Sequence, residues 1–301
     1  MNFLSAYRPS RLVVTLFAAV IAVITALTLT MSQPWTAHAA TAKPTAKPAV
    51  TPPPTAPPGG NGGAKPTIVL VHGAWADGSS WDAVVGLLQQ DGYTVDVPPN
   101  TLRGVQEDSD YIRDFLSTIS GPIVLVGHSY GSFVITNAAT GDKQVKALVD
   151  VDGYLPAQGE TLGGLNSESP DGCVSNTDVL TTAPFPGSTA TDYDTYIKQS
   201  WFPGCFANYG IPAAEAARIA AEQRPTASAV FTGVSGTPAW ETIPTWAVIG
   251  TVDKVIDPSV QLAMAKRAHA HITEIKAPHL SMVSDPGAVT AVILKAVYAT
   301  T

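Results

Sequence analysis

The sequence contains little cysteine and little charge, and both shortages limit what the protein can be. Only 2 of its 301 residues are cysteine, too few for a disulfide-dense scaffold or a four-cysteine zinc site. Charged residues make up 14%, and 17 Lys and Arg against 24 Asp and Glu give a net charge of −7. That balance offers no electrostatic basis for general nucleic-acid binding. Hydrophobic residues, at 45%, are numerous enough for a sizeable core, which excludes disorder of the whole chain.

The first 39 residues are expected to direct export. Arg8 and Arg11 precede an apolar run over residues 12–29, and Ala37-His38-Ala39 then offers the small-x-small pattern that signal peptidase recognises. We expect a cleaved signal peptide; the alternative is an uncleaved anchor, because the run is nearly long enough to span a bilayer. Either way, the rest of the chain is expected to be secreted or otherwise extracytoplasmic. Without the two arginines, 15 basic residues face 24 acidic ones, a net charge of −9.

Residues 40–66 are expected to form a disordered linker. The stretch TAKPTAKPAVTPPPTAPPGGNGGAKP is rich in Pro, Ala, Thr and Gly and has almost nothing to bury. Proline-rich sequence favours polyproline II, and the glycine-rich end adds flexibility. The folded domain is therefore expected to cover residues 67–301.

From Thr67 onward, short β-branched runs alternate with segments of helical spacing. Runs such as Ile68–Val71 are wholly apolar, which is typical of strands buried on both faces. Helices are indicated where apolar residues recur at helical spacing, and one predicted face is made by Tyr111, Ile112, Phe115, Leu116 and Ile119. The predicted strands are 68–71, 93–97, 123–126, 145–151, 245–249 and 272–276, and the predicted helices are 81–90, 106–119, 131–140, 212–223, 258–268 and 286–298. This alternation predicts an α/β fold with a mostly parallel, doubly wound sheet, interrupted by an inserted cap over about 155–243.

Both cysteines, Cys173 and Cys205, fall in the predicted cap. In an exported protein two free thiols are less common than a bridge, so we expect a disulfide between them. The alternative is two buried, unpaired cysteines. Neither is expected to be a catalytic nucleophile, because no histidine lies near either in the sequence.

The strongest chemical signal is Gly127-His128-Ser129-Tyr130-Gly131, which matches G-x-S-x-G between a predicted strand and a predicted helix. A sharp turn there would strain the serine backbone, and the glycines would let neighbouring backbones approach closely. It would also place Ser129 Oγ at the carboxyl edge of the sheet, where open α/β sheets bind ligands. Ser129 is therefore the predicted nucleophile, and it needs a base.

The predicted base is His279. The chain order for this motif is serine, acid, histidine, and three histidines follow Ser129. His269 and His271 lie at a predicted helix end. His279 instead follows the predicted strand 272–276 by a short loop, which places it at the same sheet edge as Ser129.

The predicted acid is Asp253, which follows the predicted strand 245–249 and so also lies at the carboxyl edge. Asp152, at the end of an earlier strand, is an alternative. Asp257 stands directly before Pro258 and fits better as a helix cap.

Two backbone N–H groups are needed to bind an oxyanion. Tyr130, directly after the nucleophile, is expected to supply one. Ala74, in the loop after the first strand, is expected to supply the other, with Trp75 as the alternative. Trp75 and His128 are further expected at the substrate pocket, and His72 is expected to be a hydrogen-bonded structural group.

These motifs resemble those of the serine α/β-hydrolase family. HGAW, GHSYG, GTVDKVIDP and APH occur in the family's order, and the resemblance covers residues 67–298. The chain is most similar to the small-capped branch of carboxylesterases, plant methylesterases and hydroxynitrile lyases. The resemblance implies an α/β-hydrolase fold, the triad Ser129, Asp253 and His279, and oxyanion donors at Ala74 and Tyr130.

Two departures argue against cyanohydrin cleavage. The hydroxynitrile lyases of this branch carry Lys directly after the catalytic histidine, where this chain has Leu280, and Thr in the first loop, where it has Gly73. Dehalogenase relatives use Asp as nucleophile, whereas the motif here holds Ser129. Ester hydrolysis is the activity that the resemblance then implies.

The predicted substrate is a small or medium neutral ester. Aromatic residues of the cap favour an apolar group, and no cluster of Arg or Lys supports a strongly anionic one. Trp75 and Tyr130 are expected beside the pocket. The alternatives are a lactonase, a lipase-like esterase, a lyase or cofactor-free haloperoxidase and, more remotely, a non-catalytic ligand-binding module. No cofactor, metal or nucleic-acid partner is expected, and membrane contact is expected only through an uncleaved N-terminal segment.

Overall fold

The computed structural model describes residues 65–169 and 171–300. The predicted signal peptide, and the predicted linker apart from Lys65 and Pro66, lie outside these residues. The strands are β1 (Thr67–Val71), β2 (Val95–Asp96), β3 (Ile123–His128), β4 (Val145–Val151), β5 (Leu180–Ala183), β6 (Asp194–Ile197), β7 (Thr226–Ala227), β8 (Thr245–Gly250) and β9 (His271–Ile275). The α-helices are α1 (Asp82–Gln90), α2 (Val105–Ser117), α3 (Tyr130–Ala138), α4 (Leu162–Ser167), α5 (Phe202–Cys205), α6 (Ala213–Ala221), α7 (Ala229–Thr232), α8 (Pro258–Arg267), α9 (Ser281–Ser284) and α10 (Pro286–Thr300).

Six strands form one parallel sheet in the order β2-β1-β3-β4-β8-β9. The apolar runs of β1 and β3 are buried along the sheet interior, with Ile68–Val71 and Ile123–Val126 inaccessible to solvent. This confirms the predicted fold class. The strand order reverses between β1 and β3, so the crevice at their carboxyl ends is the place where such a sheet binds ligands.

Two local predictions were wrong. Strand β2 contains only Val95 and Asp96 instead of residues 93–97, because it pairs with β1 alone and Pro98 soon follows, which cannot donate to a ladder. Tyr111 lies in α2 but is 40% exposed, so it does not share the buried face of Ile112.

The segment between β4 and β8 carries the inserted elements. The antiparallel sheet β5-β6-β7 and the helices α4 to α7 lie there. The sequence indicated only α6, because the other elements are two to six residues long and show no full period. Trp75 Nε1 donates to Thr195 O of β6 at 3.1 Å, and Ala227 N–H donates to Leu102 O at 3.0 Å. These bonds join the inserted sheet to loops that follow β1 and β2.

The predicted disulfide between Cys173 and Cys205 is present, with Cα atoms 5.9 Å apart. It links the turn at 173–175 to α5. Across residues 65–169 and 171–300, none of the helices is both long and apolar enough to cross a membrane.

Candidate active site

Ser129 stands in a strained turn between β3 and α3. Its φ of 54° and ψ of −123° lie in a region that side chains rarely occupy, a strain that tends to mark functional sites. The flanking glycines are required by contact. A Cβ on Gly127 would lie 2.6 Å from Ser132 N, and a Cβ on Gly131 would lie 2.4 Å from Val71 O. The turn can therefore hold the serine at the carboxyl edge only because Gly127 and Gly131 lack a side chain.

The structure brings Ser129, His279 and Asp253 together in one hydrogen-bonded chain. His279 Nε2 lies 2.9 Å from Ser129 Oγ, and His279 Nδ1 lies 2.8 Å from Asp253 Oδ2. All three side chains are buried, and Ser129 keeps 7% exposure. His271 instead begins β9 at the opposite edge of the sheet, and His269 precedes it with a φ of 52°. Neither is placed to reach the serine.

The Asp253 carboxylate is surrounded by N–H donors. Its Oδ1 accepts from Val255 N at 2.7 Å and Ile256 N at 3.1 Å, and its Oδ2 accepts from Gln261 Nε2 at 2.8 Å. The remaining partner, His279 Nδ1, therefore donates. With its proton on Nδ1, the neutral imidazole presents Nε2 as an acceptor to the serine hydroxyl. Gln261, which lies one helical turn into α8, was not among the residues predicted at the site.

Asp152, the alternative candidate, braces the loops that carry Asp253 and His279, and it is Asp253 that bonds the imidazole. Its Oδ1 accepts from Gly250 N at 2.8 Å and its Oδ2 from Ser281 N at 3.1 Å. Burial, and then the charge of Asp253, raise the pKa of Asp152 well above its ordinary value. Asp257 caps α8, since its Oδ1 accepts from the backbone N–H of the second helical residue at 2.7 Å.

His128 supports His279 from within the core. Its Nε2 lies 2.9 Å from His279 O, which can only accept, so Nε2 carries the proton. The two rings are 4.8 Å apart. Burial, and then the nearby His279, lower the pKa of His128 well below its ordinary value. His128 is 2% exposed, and its predicted place at the substrate pocket is corrected to a supporting one.

The N–H groups predicted to bind an oxyanion lie on two sides of Ser129. Tyr130 is the first residue of α3, so its N–H has no carbonyl partner within the helix. Trp75 N–H donates to Thr226 Oγ1 at 2.9 Å. Because that bond occupies Trp75 N–H, Ala74 is left as the candidate from the loop after β1.

The loop after β1 packs directly on the serine turn. A Cβ on Gly73 would lie 2.8 Å from Ser129 Cβ, so the close approach depends on glycine. His72 anchors the loop: Asn100 N–H donates to its Nε2 and its Nδ1 faces Gly73 O, both at 3.0 Å. Burial lowers the pKa of His72. With both nitrogens bonded to backbone groups, the His72 side chain is not placed as a second base.

The prediction that the Tyr130 side chain lies beside the pocket was wrong. The side chain is inaccessible to solvent, and its hydroxyl donates to Asp108 Oδ2 at 2.6 Å within the core. Only the backbone N–H of Tyr130 remains at the site.

Aromatic rings from the inserted segment stand beside the candidate site. Phe206 packs edge-on against His279 with ring centres 5.4 Å apart, and against Trp75 at 6.0 Å. Trp201 and Tyr209 are more than 40% exposed. Nothing in the sequence singles out Phe206 as the ring that contacts His279, because all of these aromatic residues lie within positions 201–209.

Two cavities lie near Trp75, and the residues that line them include neither Ser129 nor His279. One of about 250 Å³ is lined by Trp75 itself, α6 and the segment 76–83. The other, of about 540 Å³, lies among the inserted elements and is lined by residues that include Thr195 and Phe231. Both of these contact the Trp75 side chain, with ring centres of Trp75 and Phe231 5.9 Å apart.

Known proteins share sequence and fold with this chain. Residues 68–292 match the model described as the Alpha/beta hydrolase family. A carbendazim hydrolyzing esterase from Nocardioides sp. (strain SG-4G) is 34% identical over 110 residues, covering 32% of this chain and 46% of the relative. The aligned region therefore spans about half of that relative's length.

Solved structures show the same fold. A pyrethroid hydrolase from Sphingobium faniae JZ-2 superposes with a TM-score of 0.60 at 21% identity, covering 77% of this chain and 97% of that one. Polyneuridine aldehyde esterase gives 0.66 at 17%, covering 77% and 99%. An extracellular alpha/beta-hydrolase from a Paenibacillus species gives 0.61 at 21%, covering 77% and 98%. At these identities the likeness shows the fold alone.

Proposed function

Because the chain belongs to the alpha/beta hydrolase family, we propose that it is a serine carboxylesterase with Ser129 as nucleophile, His279 as general base and Asp253 as the orienting acid. The observation that carries this proposal is the continuous chain from Ser129 Oγ to His279 at 2.9 Å and on to Asp253 at 2.8 Å. The name of the Nocardioides relative, an esterase, supports it.

In the first step, Ser129 Oγ attacks the ester carbonyl while His279 Nε2 takes the hydroxyl proton. The Nδ1–H bond to Asp253 fixes the imidazole tautomer and stabilises the imidazolium that forms. The carbonyl oxygen becomes negative and accepts hydrogen bonds from the N–H groups of Ala74 and Tyr130.

In the second step, His279 returns the proton to the leaving alkoxide, and the alcohol departs from an acyl-Ser129 intermediate. Water then attacks this acyl group with His279 again as base, and collapse of the second tetrahedral intermediate releases the acid. Each proton taken by His279 is returned in the same half-reaction.

The substrate that we propose is a small or medium neutral ester. Phe206 and Trp75 border the candidate site with apolar rings. The cavity of about 540 Å³ among the inserted elements is in the size range of small-molecule sites. A lactone would meet the same groups.

We further propose that the enzyme acts outside the cytoplasm. The N-terminal export pattern over residues 1–39 and the disulfide between Cys173 and Cys205 support this location. Expression of the whole chain in a secreting host, followed by N-terminal sequencing of the released protein, tests it. A product beginning near Ala40 is expected; retention of the entire chain in the cytoplasm would refute it.

The activity is tested by hydrolysis of p-nitrophenyl acetate, butyrate and octanoate by the purified protein. Ser129→Ala is expected to lower kcat by several orders of magnitude while the melting temperature stays close to that of the parent. Ser109→Ala is the matched control, since Ser109 is a buried serine of the neighbouring α2 whose hydroxyl only weakly contacts Val134 O at 3.4 Å. It should keep the parent's activity.

A fluorophosphonate probe provides a second readout that depends on the nucleophile alone. The parent and the Ser109→Ala variant are expected to be labelled on Ser129, and the Ser129→Ala variant is not. A folded parent that neither hydrolyses these esters nor takes the label would overturn the proposed function. Product analysis with cyanohydrins would then test the lyase alternative.

A further inference from the structure

We propose that the Cys173–Cys205 disulfide is a positioning element of the active site, which acts by holding Phe206 against His279 and Trp75. This inference rests on the proposed esterase function and deepens it. It assigns a part in substrate binding to a bond that the reaction itself does not use.

Phe206 occupies a place where it can meet the reacting group. His279 supplies the base, and Trp75 continues the loop that holds the oxyanion donor Ala74. The Phe206 ring lies within about 6 Å of both the His279 and Trp75 rings. The ester carbonyl must enter between base and oxyanion donor, so Phe206 forms one wall of that space. Phe202 stacks on its other side at 4.9 Å.

Phe206 directly follows α5, which is too short to hold its own position. The helix has four residues, and its hydrogen bonds end with Cys205 N–H to Trp201 O and Phe206 N–H to Phe202 O. A single turn of helix is not stable alone. Its orientation must therefore be set by what it is attached to.

The disulfide attaches α5 to the turn at 173–175, which in turn is hydrogen-bonded to the loop that carries Asp253. Cys205 is buried at the end of α5, and its partner Cys173 donates its N–H to Lys254 O at 2.7 Å, one residue from Asp253. Gly172 packs so closely on this loop that a Cβ would lie 2.7 Å from Val255 O. The bridge thus connects Phe206 covalently to a segment seated on the acid loop.

A hydrogen bond provides a second tie, which joins the segment after α5 directly to the acid loop. Asn208 Nδ2 donates to Val252 O at 2.9 Å, just before the acid. Together the two ties place Phe206 at a set distance from the acid loop and hence from His279. Loss of the disulfide leaves the serine, base and acid bonded as before but lets the aromatic wall move.

The expected effect is therefore on substrate binding more than on chemistry. An edge-to-face aromatic pair contributes about 0.5–1.5 kcal/mol, which corresponds to about two- to twelvefold in an equilibrium constant. Removal of the disulfide is expected to raise KM for p-nitrophenyl butyrate by a factor in this range, with a smaller change in kcat.

The experiment is a double-mutant cycle on the complete protein. It compares the parent, the Cys173→Ala/Cys205→Ala variant, Phe206→Ala, and the combination of all three substitutions. If the disulfide acts through Phe206, its removal raises KM in the parent but has no further effect once Phe206 is truncated. A merely structural disulfide would change KM or kcat by the same factor in both backgrounds, and that result would overturn the inference.

Leu116→Ala controls for lost stability. Leu116 is buried near the end of α2 and takes no part in the contacts described at the candidate site. The substitution should lower the melting temperature and leave KM unchanged. If the cysteine variant does not fold, KM is measured for the folded parent and for Phe206→Ala before and after the disulfide is reduced with dithiothreitol, which gives the same cycle. If the enzyme hydrolyses the ester and is labelled on Ser129, but the two changes have independent effects on KM, only the inference about the disulfide is overturned. A parent that does neither counts against the proposed function.

Discussion

Asp150 lies in β4 with its carboxyl group buried and not fully hydrogen-bonded. It is 2% exposed, and its Oδ1 has no hydrogen-bond partner among the described residues. Gly153 allows this arrangement, because a Cβ there would lie 2.3 Å from that oxygen. Burial raises the pKa of Asp150 from 3.8 to about 7, against weaker opposing hydrogen bonds from Ser132 and Gly153. Replacement by asparagine, which has nearly the same shape and does not ionise, removes this titration.

The size of the stability change follows from the coupling between protonation of Asp150 and folding. Because the folded-state pKa is raised, the folded protein binds the proton more tightly than the unfolded chain does. The contribution of Asp150 to stability is therefore greatest below pH 3.8 and falls by about 1.4 kcal/mol per pH unit until the pH passes about 7. The full loss is about 4 kcal/mol. About 2 kcal/mol of it has already occurred at pH 5, so Asp150→Asn should gain about 2–3 kcal/mol over the parent between pH 5 and pH 8.

Urea denaturation at pH 5, 6, 7 and 8 measures this difference for the parent and the variant. Asp257→Asn is the control: the pKa of Asp257 is lowered by its bonds to Ser259, so its carboxylate is ionised throughout this range, and asparagine caps helices about as well. Its difference from the parent should stay constant with pH. A pH-independent difference for Asp150→Asn as well would contradict this prediction, since it would mean that Asp150 titrates alike in the folded and unfolded chains.

Three further changes follow from contacts at the candidate site. Gly131→Ala should lower both the free energy of unfolding and kcat, because its Cβ would lie 2.4 Å from the last carbonyl of β1. Its control is Gly86→Ala in α1, whose Cβ would meet nothing within 4 Å. That variant should be neutral or stabilising by about 0.5–1 kcal/mol in the same urea titration. Gln261→Leu removes a donor to Asp253 and should lower kcat about tenfold with little change in KM, as steady-state kinetics would show. Tyr130→Phe leaves a buried carboxylate of α2 without one donor and should cost about 1.5–3 kcal/mol of unfolding free energy; an unchanged urea midpoint would contradict this.

Much of the parallel sheet was predictable because its signals are local. The runs Ile68–Val71 and Ile123–Val126 are apolar throughout since both faces of their strands are covered. The G-x-S-x-G motif was recognisable because the turn itself demands glycine on both sides of Ser129. The juxtaposition of Ser129, Asp253 and His279 was expected from their positions after three strands, and the structure places them within hydrogen-bonding distance. Their catalytic roles remain predictions.

The inserted segment was poorly predicted because its elements are too short to show a period. Strand β7 has two residues, and α5 and α7 have four each. Such elements are stabilised by partners distant in the chain, including the disulfide across 32 residues. Gln261 was missed, and Phe206 was one of several cap aromatics among which no choice was made. The reason is related: nothing adjacent in the sequence distinguishes a glutamine that bonds the acid or a phenylalanine that contacts the base.

The sequence alone was sufficient to place Ser129, Asp253 and His279 at one edge of a parallel sheet, because strand ends, turn glycines and chain order are properties of neighbouring residues. Tertiary structure decided the remaining choices at the site. In the folded protein the Trp75 N–H bonds Thr226, which leaves the N–H of Ala74 as the candidate oxyanion donor. Asp152 braces two loops, and the Tyr130 side chain lies in the core. Those outcomes depend on which groups far apart in the chain come within about 3 Å of each other, and hydrogen bonding at that range is set by packing and not by local sequence.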